Sequence, residues 1–410
     1  MKSSYHIVLI SSGQPSLNPR LVKEADSLKE AGYTVTVIYQ YWNEWGTALD
    51  MQLLQTKKWK SIRVGGDPSA AKFVYLKSRI RQKLAMKLSN ILGFGFGFAE
   101  TAITRCLTEQ TNFAQSIKAD LYIAHNLGAL PAAVSASKKN KAKCGFDAED
   151  FHRYEVTNNK TSLDYKIKKY IEDKYLAQVD YLTTSSPLIS AAYQECYPQL
   201  KPITLLNVFP QQHISMVDHT DKPLQLFWFS QTIGSARGLE TVIDVINHLD
   251  ELAFELHLLG NHDVEIIETF NSRLKSAKKS KIFYHRPIPA DEIFKFASQF
   301  DIGLATELSY PENRDICLTN KIFTYVQAGL AIIATDTSAQ SQLLENYPHM
   351  GDTYENGNIE ALKKLLTLYA NHREKLAARK KQALTYGNEK LNWNLEQQTF
   401  LELVANTLAN

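Results

Sequence analysis

The chain alternates short runs of consecutive apolar, often β-branched residues with longer stretches in which apolar residues recur every three or four positions. Runs of the first kind suit strands covered on both faces, and stretches of the second kind suit the helices that cover them. The alternation therefore predicts repeated β-α units and parallel sheets, an α/β chain. The apolar run closing 1–10 is read as the first strand. A polar loop over 11–20 follows, then a helix with Leu21, Ala25, Leu28 and Ala31 on one face, a stop at Gly32 and a second strand over 33–39. Further strands are expected within 120–126 and 144–147, and at 181–184, 203–206, 224–230, 254–260, 282–289, 301–305 and 330–335. Helices are expected over 127–138 and 165–178, from Ser186-Pro187, after Glu240, over 359–381 and over 393–408.

The stretch 320–336 is the most informative. Its apolar residues recur at helical spacing, Gly329 stands where a helix end favours a residue tolerant of left-handed geometry, and a β-branched strand follows. Because 307–319 is polar and turn-rich and lies between a strand and a helix start, it belongs at the carboxyl edge of a sheet, where open α/β sheets bind ligands. Free N–H groups and the helix dipole favour anions there, so a nucleotide diphosphate suits the place.

At 410 residues, with 44% hydrophobic and 22% charged residues, the chain has material for two full cores. A net charge of +3 gives no nucleic-acid footprint. Cys106, Cys144, Cys196 and Cys317 are scattered, which fits neither a C-x-x-C metal site nor a disulfide framework and agrees with a reducing, cytoplasmic setting. No signal peptide and no run of roughly 20 apolar residues is found. Charge is unevenly spread: over 57–98 ten Lys and Arg residues face one acidic residue, Asp67. There Ile80, Leu84, Leu88 and Leu92 share a helical face, and Gly-Phe-Gly-Phe-Gly-Phe follows. Three readings stand: a helix for an anionic membrane surface, a solvated face on an ordinary packed helix, or a flexible acceptor lid.

The order N-K-I-F-T-Y-V-Q-A-G-L-A-I-I-A over 320–334 resembles the donor-side helix and strand of GT-B glycosyltransferases, particularly family 4. That resemblance implies two Rossmann-like parallel-sheet domains facing a cleft, at 1–207 (with 57–98 as a basic, aromatic insert) and 208–385. It also implies a C-terminal segment, 386–410, packing back on the first domain, with 211–223 as linker. The second domain would hold a nucleotide-diphosphate sugar through Gln231, Thr232, Arg237, Gly260, His285, Arg286, Glu307, Asn313, Asp315, Thr319, Asn320, Lys321 and Thr324. Two departures bear on this. Ile316 and Thr324 stand where the family carries the two glutamates of an E-x7-E pair, and Gln231 stands in the place of one of two pyrophosphate-binding cations, leaving Arg237. Glu307, Glu312 and Asp315 are candidate substitutes for the carboxylates, and Arg314 or Lys321 for the cation.

On the first domain, His125 at a strand end and the carboxylates Asp147 and Glu149 are candidate catalytic or acceptor-orienting groups, because grouped carboxylates raise one another's pKa. Gly13, Asn18, Arg20, Asn126, Asp150 and His152 are candidate acceptor contacts, although Asn18 before Pro19 equally reads as a helix cap and the carboxylates as caps of the next helix. The resemblance implies a retaining glycosyltransferase, independent of metal and cofactor, acting on a glycan or lipid-linked glycan in envelope polysaccharide synthesis, in the cytoplasm or at the inner membrane face. The alternatives are a non-catalytic nucleotide- or partner-binding relative, and a sugar-nucleotide epimerase of the same fold.

Overall fold

A computed structural model describes residues 5–214, 222–249, 251–275 and 279–409. The chain divides into two compact units, Met1–Leu205 with Gln397–Asn410, and Leu206–Glu396. The linker expected over 211–223 lies partly outside the described residues.

The first unit is built on seven strands, β1 (His6–Ser11), β2 (Thr34–Gln40), β3 (Lys60–Val64), β4 (Leu121–His125), β5 (Lys143–Asp147), β6 (Tyr181–Thr184) and β7 (Ile203–Thr204). Their order across the sheet is β3-β2-β1-β4-β5-β6-β7, and every adjacent pair is parallel. Ile7, Val8, Leu9 and Ile10 of β1 and Leu121 to Ala124 of β4 are fully buried, as continuous apolar strands in a covered parallel sheet must be. After β3 the chain crosses to the far side of β1, so the topological switch point lies between β1 and β4. Register then fixes a row at the carboxyl edge: Ser11 pairs with His125, His125 with Asp147 and Asp147 with Thr183.

One expectation is corrected here. The stretch 57–98 is not an insert throughout, because Lys60–Val64 pairs with β2 as the sheet's edge strand. Its basic residues Lys60 and Arg63, after Lys57 and Lys58, hide the strand in a composition-based reading and suit an edge, where charge discourages further pairing. The rest forms helix Lys72–Leu92 and a glycine-phenylalanine turn.

The second unit has six strands, β8 (Leu224–Thr232), β9 (Phe254–Asn261), β10 (Lys281–His285), β11 (Ile302–Ala305), β12 (Ala331–Thr335) and β13 (Gly351–Tyr354). They lie in the order β10-β9-β8-β11-β12-β13, again all parallel, with the switch point between β8 and β11. Leu226, Trp228, Val242, Ile246, Leu256 and Ile333 belong to its core cluster. Strand β8 runs two residues past the expected end, so Gln231 and Thr232 stand on a strand, with a bulge before Thr232 pairs with Asn261. The charged stretch 359–381 is two helices, Ile359–Asn371 and Arg373–Glu389, broken at His372. The boundary expected at 385 therefore falls inside a helix, and the residues grouped with the first unit begin at Gln397 within helix Trp393–Ala409.

Candidate functional site

At the carboxyl edge of the first unit the polar residues form two layers. Ser12, Gly13, Asn126, Glu149 and Asp150 are partly exposed, while Arg20, Glu24, His125 and Asp147 lie beneath them, closed to solvent. Helix Pro19–Glu30 carries both Arg20 and Glu24, four residues and so one turn apart, which directs both side chains under β4 and β5. Arg20 Nε donates to Asp147 Oδ2 at 2.6 Å and lies 3.4 Å from Glu24 Oε1, and its Nη1 donates to the Leu205 carbonyl at 2.5 Å. His125 bridges the same carboxylates, Nε2 at 3.2 Å from Glu24 and Nδ1 at 3.3 Å from Asp147, with Glu149 at 3.8 Å. Thr183 Oγ1 donates to the other Asp147 oxygen at 2.8 Å.

The ionisation states follow from burial and these neighbours. Burial alone drives the His125 pKa down, but Glu24, Asp147 and Glu149 outweigh it and hold the imidazole well above its ordinary value. Burial raises Asp147, yet Arg20 and His125 bring it to about 2. Glu24 is raised, by burial first and then by Asp147. Lys23 beside them falls to about 7, through burial and repulsion from Arg20. Glu24, His125 and Asp147 offer ligand atoms within 4.8 Å of one another, a metal-like grouping, but Arg20 already supplies a cation to both carboxylates.

Expected roles and observed places can now be compared. Arg20, expected to meet acceptor or phosphate, is wholly buried because its guanidinium is bound by Asp147 and Glu24. His125 and Asp147 share that layer. His152 is buried against the Phe146 ring, with Nδ1 3.3 Å from Glu155. Asn18 caps its helix, accepting from Leu21 N–H at 2.9 Å, and its amide donates to Glu149 Oε1 at 2.7 Å. Glu149 and Asn126 hold left-handed backbone, φ 56° and 60°, which presents both at the edge, and Asn126 accepts from the Ser12 backbone and hydroxyl. Sequence reasoning missed Glu24, whose signal was its one-turn spacing from Arg20, beside the apolar face of Leu21, Ala25 and Leu28.

In the second unit a corresponding edge gathers the ends of β8, β11 and β12. Helix Asn320–Ala328 is aimed there by its packing. Tyr325 lies on Gly303 of β11, so closely that a Cβ on Gly303 would stand 2.2 Å from the ring, and its hydroxyl donates to the Leu304 carbonyl at 3.0 Å. Gly329, φ 69°, ends the helix as its position in the sequence predicts. At the other end Thr319 does not cap the helix; its hydroxyl donates to Glu307 Oε1 at 3.1 Å instead. Helix Leu239–Asn247, after β8, also starts without a side-chain cap. Helices Val264–Arg273, Ser338–Asn346 and Ile359–Asn371 of the same unit are each capped by the Asp263, Thr337 or Asn358 side chain. Helices Ile293–Ala297, Glu312–Ile316 and Arg373–Glu389 also start without one, so what sets the Leu239 and Asn320 starts apart is their place after β8 and β11, where their first-turn N–H groups are left for another acceptor.

Beside the Asn320 helix start, Lys321 Nζ donates to Glu307 Oε1 at 2.6 Å and lies 5.6 Å from the Trp228 ring centre. Burial would raise the Glu307 carboxyl, but Lys321 and Thr319 outweigh it and hold it below the ordinary value. Thr335 Oγ1 donates to the Glu307 carbonyl at 2.6 Å. Gly238, φ 77°, brings the β8 loop against β11, since a Cβ there would meet Thr306 at 2.7 Å, and Thr306 Oγ1 donates to the Arg237 carbonyl at 2.7 Å. The structure thus brings Arg237, Glu307, Thr319, Asn320 and Lys321 to the ends of β8 and β11.

Other candidates have local partners. Thr324 is buried and donates to the Asn320 carbonyl at 2.9 Å, within its own helix. Asp315 accepts from Ser338 N–H at 3.1 Å. Gly260, φ 157°, allows the close approach of the Ser230 carbonyl, 2.4 Å from where a Cβ would be. His285 Nε2 lies 3.0 Å from His257 Nδ1, and Arg286 donates to the His262 carbonyl at 3.0 Å. Asn313 is buried, and Gln231 and Thr232 are exposed. Trp228, Thr306 and Thr335 were not foreseen; each lies in or next to an apolar strand run, where a core role is the default reading.

No family model matches the chain, and no curated protein matches it by sequence. Solved structures do match across its length. Sucrose-phosphate synthase (tll1590) from Thermosynechococcus elongatus superposes with a TM-score of 0.72 at 12% identity, covering 99% of both chains. Anabaena Alr3699/HepE in complex with UDP and glucose gives 0.68 at 12% identity, covering 98% of this chain and 100% of that one. A glycosyltransferase from Rickettsia africae ESF-5 gives 0.65 at 15% identity, with all of both chains covered. The shared architecture is the GT-B fold, α/β with two Rossmann-like parallel-sheet domains.

Proposed function

We propose that the protein is a glycosyltransferase that moves a sugar from a nucleotide-diphosphate donor to a glycan or lipid-linked glycan. One observation carries this reading: the uncapped start of helix Asn320–Ala328 beside Lys321, at the switch point of the second sheet. Free N–H groups and a cation at the ends of β8 and β11 suit a diphosphate, and they stabilise the charge that develops on a departing nucleotide. The UDP-bound Anabaena protein of the same fold supports the choice of ligand. In this reading Arg237 supplies a second cation from the β8 loop and Glu307 orients Lys321, taking over part of what the missing carboxylate pair would do. Helix dipole and side-chain cations meet the charge without a metal. The acceptor falls to the first unit, where Asn126 and Glu149 are reachable and the buried His125–Asp147–Arg20 layer positions them. Retention of configuration and a place in envelope polysaccharide synthesis extend the family 4 resemblance, with the protein at the cytoplasmic side.

A specific observation favours a second reading, a binding protein without turnover: Thr324 and Ile316 offer no carboxylate where donor-holding glutamates would stand, and Thr324 is hydrogen-bonded within its own helix. A panel of nucleotide sugars, followed by release of free nucleoside diphosphate, separates the two. Release from one donor, lost in both Arg237→Ala and Lys321→Ala, is the expected result. Tight nucleotide binding with no release, even with lipid-linked acceptors present, sinks the transferase reading in favour of the second.

A further inference from the structure

Helix Lys72–Leu92 in the first unit packs the wrong way round for a solvated helix. Its buried positions are Ser78, Ala85 and Ser89, spaced i, i+7, i+11 along one face and all small. On the opposite face Phe73, Leu76, Ile80, Leu84 and Ile91 stand in solvent, Phe73 with 90% of its surface exposed and Ile91 with 75%. An amphipathic helix held by its core would place these side chains inward. The glycine-phenylalanine turn after it adds Phe96, which is 97% exposed and held at φ 56°, a backbone conformation that L residues seldom adopt. Between helix and turn runs a groove of about 730 Å³ lined by Phe73, Ile80, Leu84, Leu88 and Phe96. Contiguous exposed apolar surface of this kind marks an interaction site.

Charge identifies the occupant. Lys72, Lys77, Lys83 and Lys87 are exposed around the apolar stripe, and no acidic residue occurs anywhere in 72–92. A second copy of the chain would bring these lysines against their own kind. We propose that this face docks on an anionic lipid bilayer, with the phenylalanine and aliphatic side chains entering the acyl boundary and the lysines reaching back to phosphate and carboxylate headgroups. No helix of the described residues is long and apolar enough to cross a membrane, so the contact is one of lying on the surface.

Co-sedimentation with phosphatidylcholine vesicles, with and without phosphatidylserine, tests the proposal on the full chain. Binding is expected only to the vesicles containing phosphatidylserine, weakening as salt rises. The triple variant Lys77→Gln/Lys83→Gln/Lys87→Gln should lose about a hundredfold in partitioning, about fivefold per lysine. Ile80→Ser/Leu84→Ser/Phe96→Ser should lose binding too, and since all these side chains are exposed, the thermal midpoint should stay unchanged in both variants. Binding to neither vesicle, equal binding to both, or a concentration-dependent dimer that the serine variant abolishes would overturn it. No nucleotide enters the assay, so the result is independent of the transferase reading.

Discussion

Arg20 shows how far a side chain's environment can depart from what its sequence neighbours suggest. It follows an Asn-Pro pair in a loop that should face ligand, yet it enters the helix one residue after Pro19 and turns under the sheet, where Asp147 and Glu24 hold it. Replacing Arg20 by Met would leave two buried carboxylates facing each other without their permanent cation, and breaking a buried pair from one side costs about 3–5 kcal/mol. Chemical denaturation should show that loss as a lowered midpoint, whereas Glu149→Gln, whose side chain is 22% exposed, should stay within about 1 kcal/mol. A loss below about 1 kcal/mol in the Arg20 variant would mean that the network is not the anchor described above. Which polar residues meet at the carboxyl edge was legible, because strand ends and helix starts can be read from periodicity. Which of them turn inward was not: direction depends on partners such as Glu24 and Thr183, distant in sequence from Asp147.

Among elements, the most legible was the helix, glycine and strand over 320–335, where spacing, αL stop and β-branched run agree. The edge strand β3 was illegible because its basic residues give it the composition of a surface segment, and the break at His372 carries neither Gly nor Pro. Strands β9 and β10 join two histidines, His257 and His285, among Phe283, Phe296 and Phe300. Burial, then repulsion from His285, lowers the His257 pKa to about 4. A histidine pKa below its unfolded value means the unfolded chain binds the proton more readily. Its stabilising effect is complete above about pH 6.5 and is lost as pH falls toward 4. Thermal midpoints recorded from pH 7 to 4.5 should therefore drop less steeply for His257→Phe, which keeps the ring stack and removes the titrating group. Parallel curves for the two proteins would show that this pair does not contribute to acid sensitivity.

At the scale of the whole molecule, each unit has its own parallel sheet and core, so unfolding need not be a single step. Calorimetry should resolve two transitions, and a nucleoside diphosphate should separate them further. A ligand that binds only the folded second unit stabilises it by mass action, about 2.7 kcal/mol when its concentration is a hundred times Kd, and leaves a unit that does not bind it where it was. The upper or lower transition that moves can be assigned with Lys321→Ala, which removes the cation beside the uncapped helix start: it should abolish the shift while leaving the other transition in place. Arg20→Met supplies the complementary mark, lowering the transition of the first unit alone. Should UDP raise the transition that Arg20→Met lowers, and Lys321→Ala leave that rise intact, the diphosphate belongs on the first unit and the proposed assignment of donor to the ends of β8 and β11 fails.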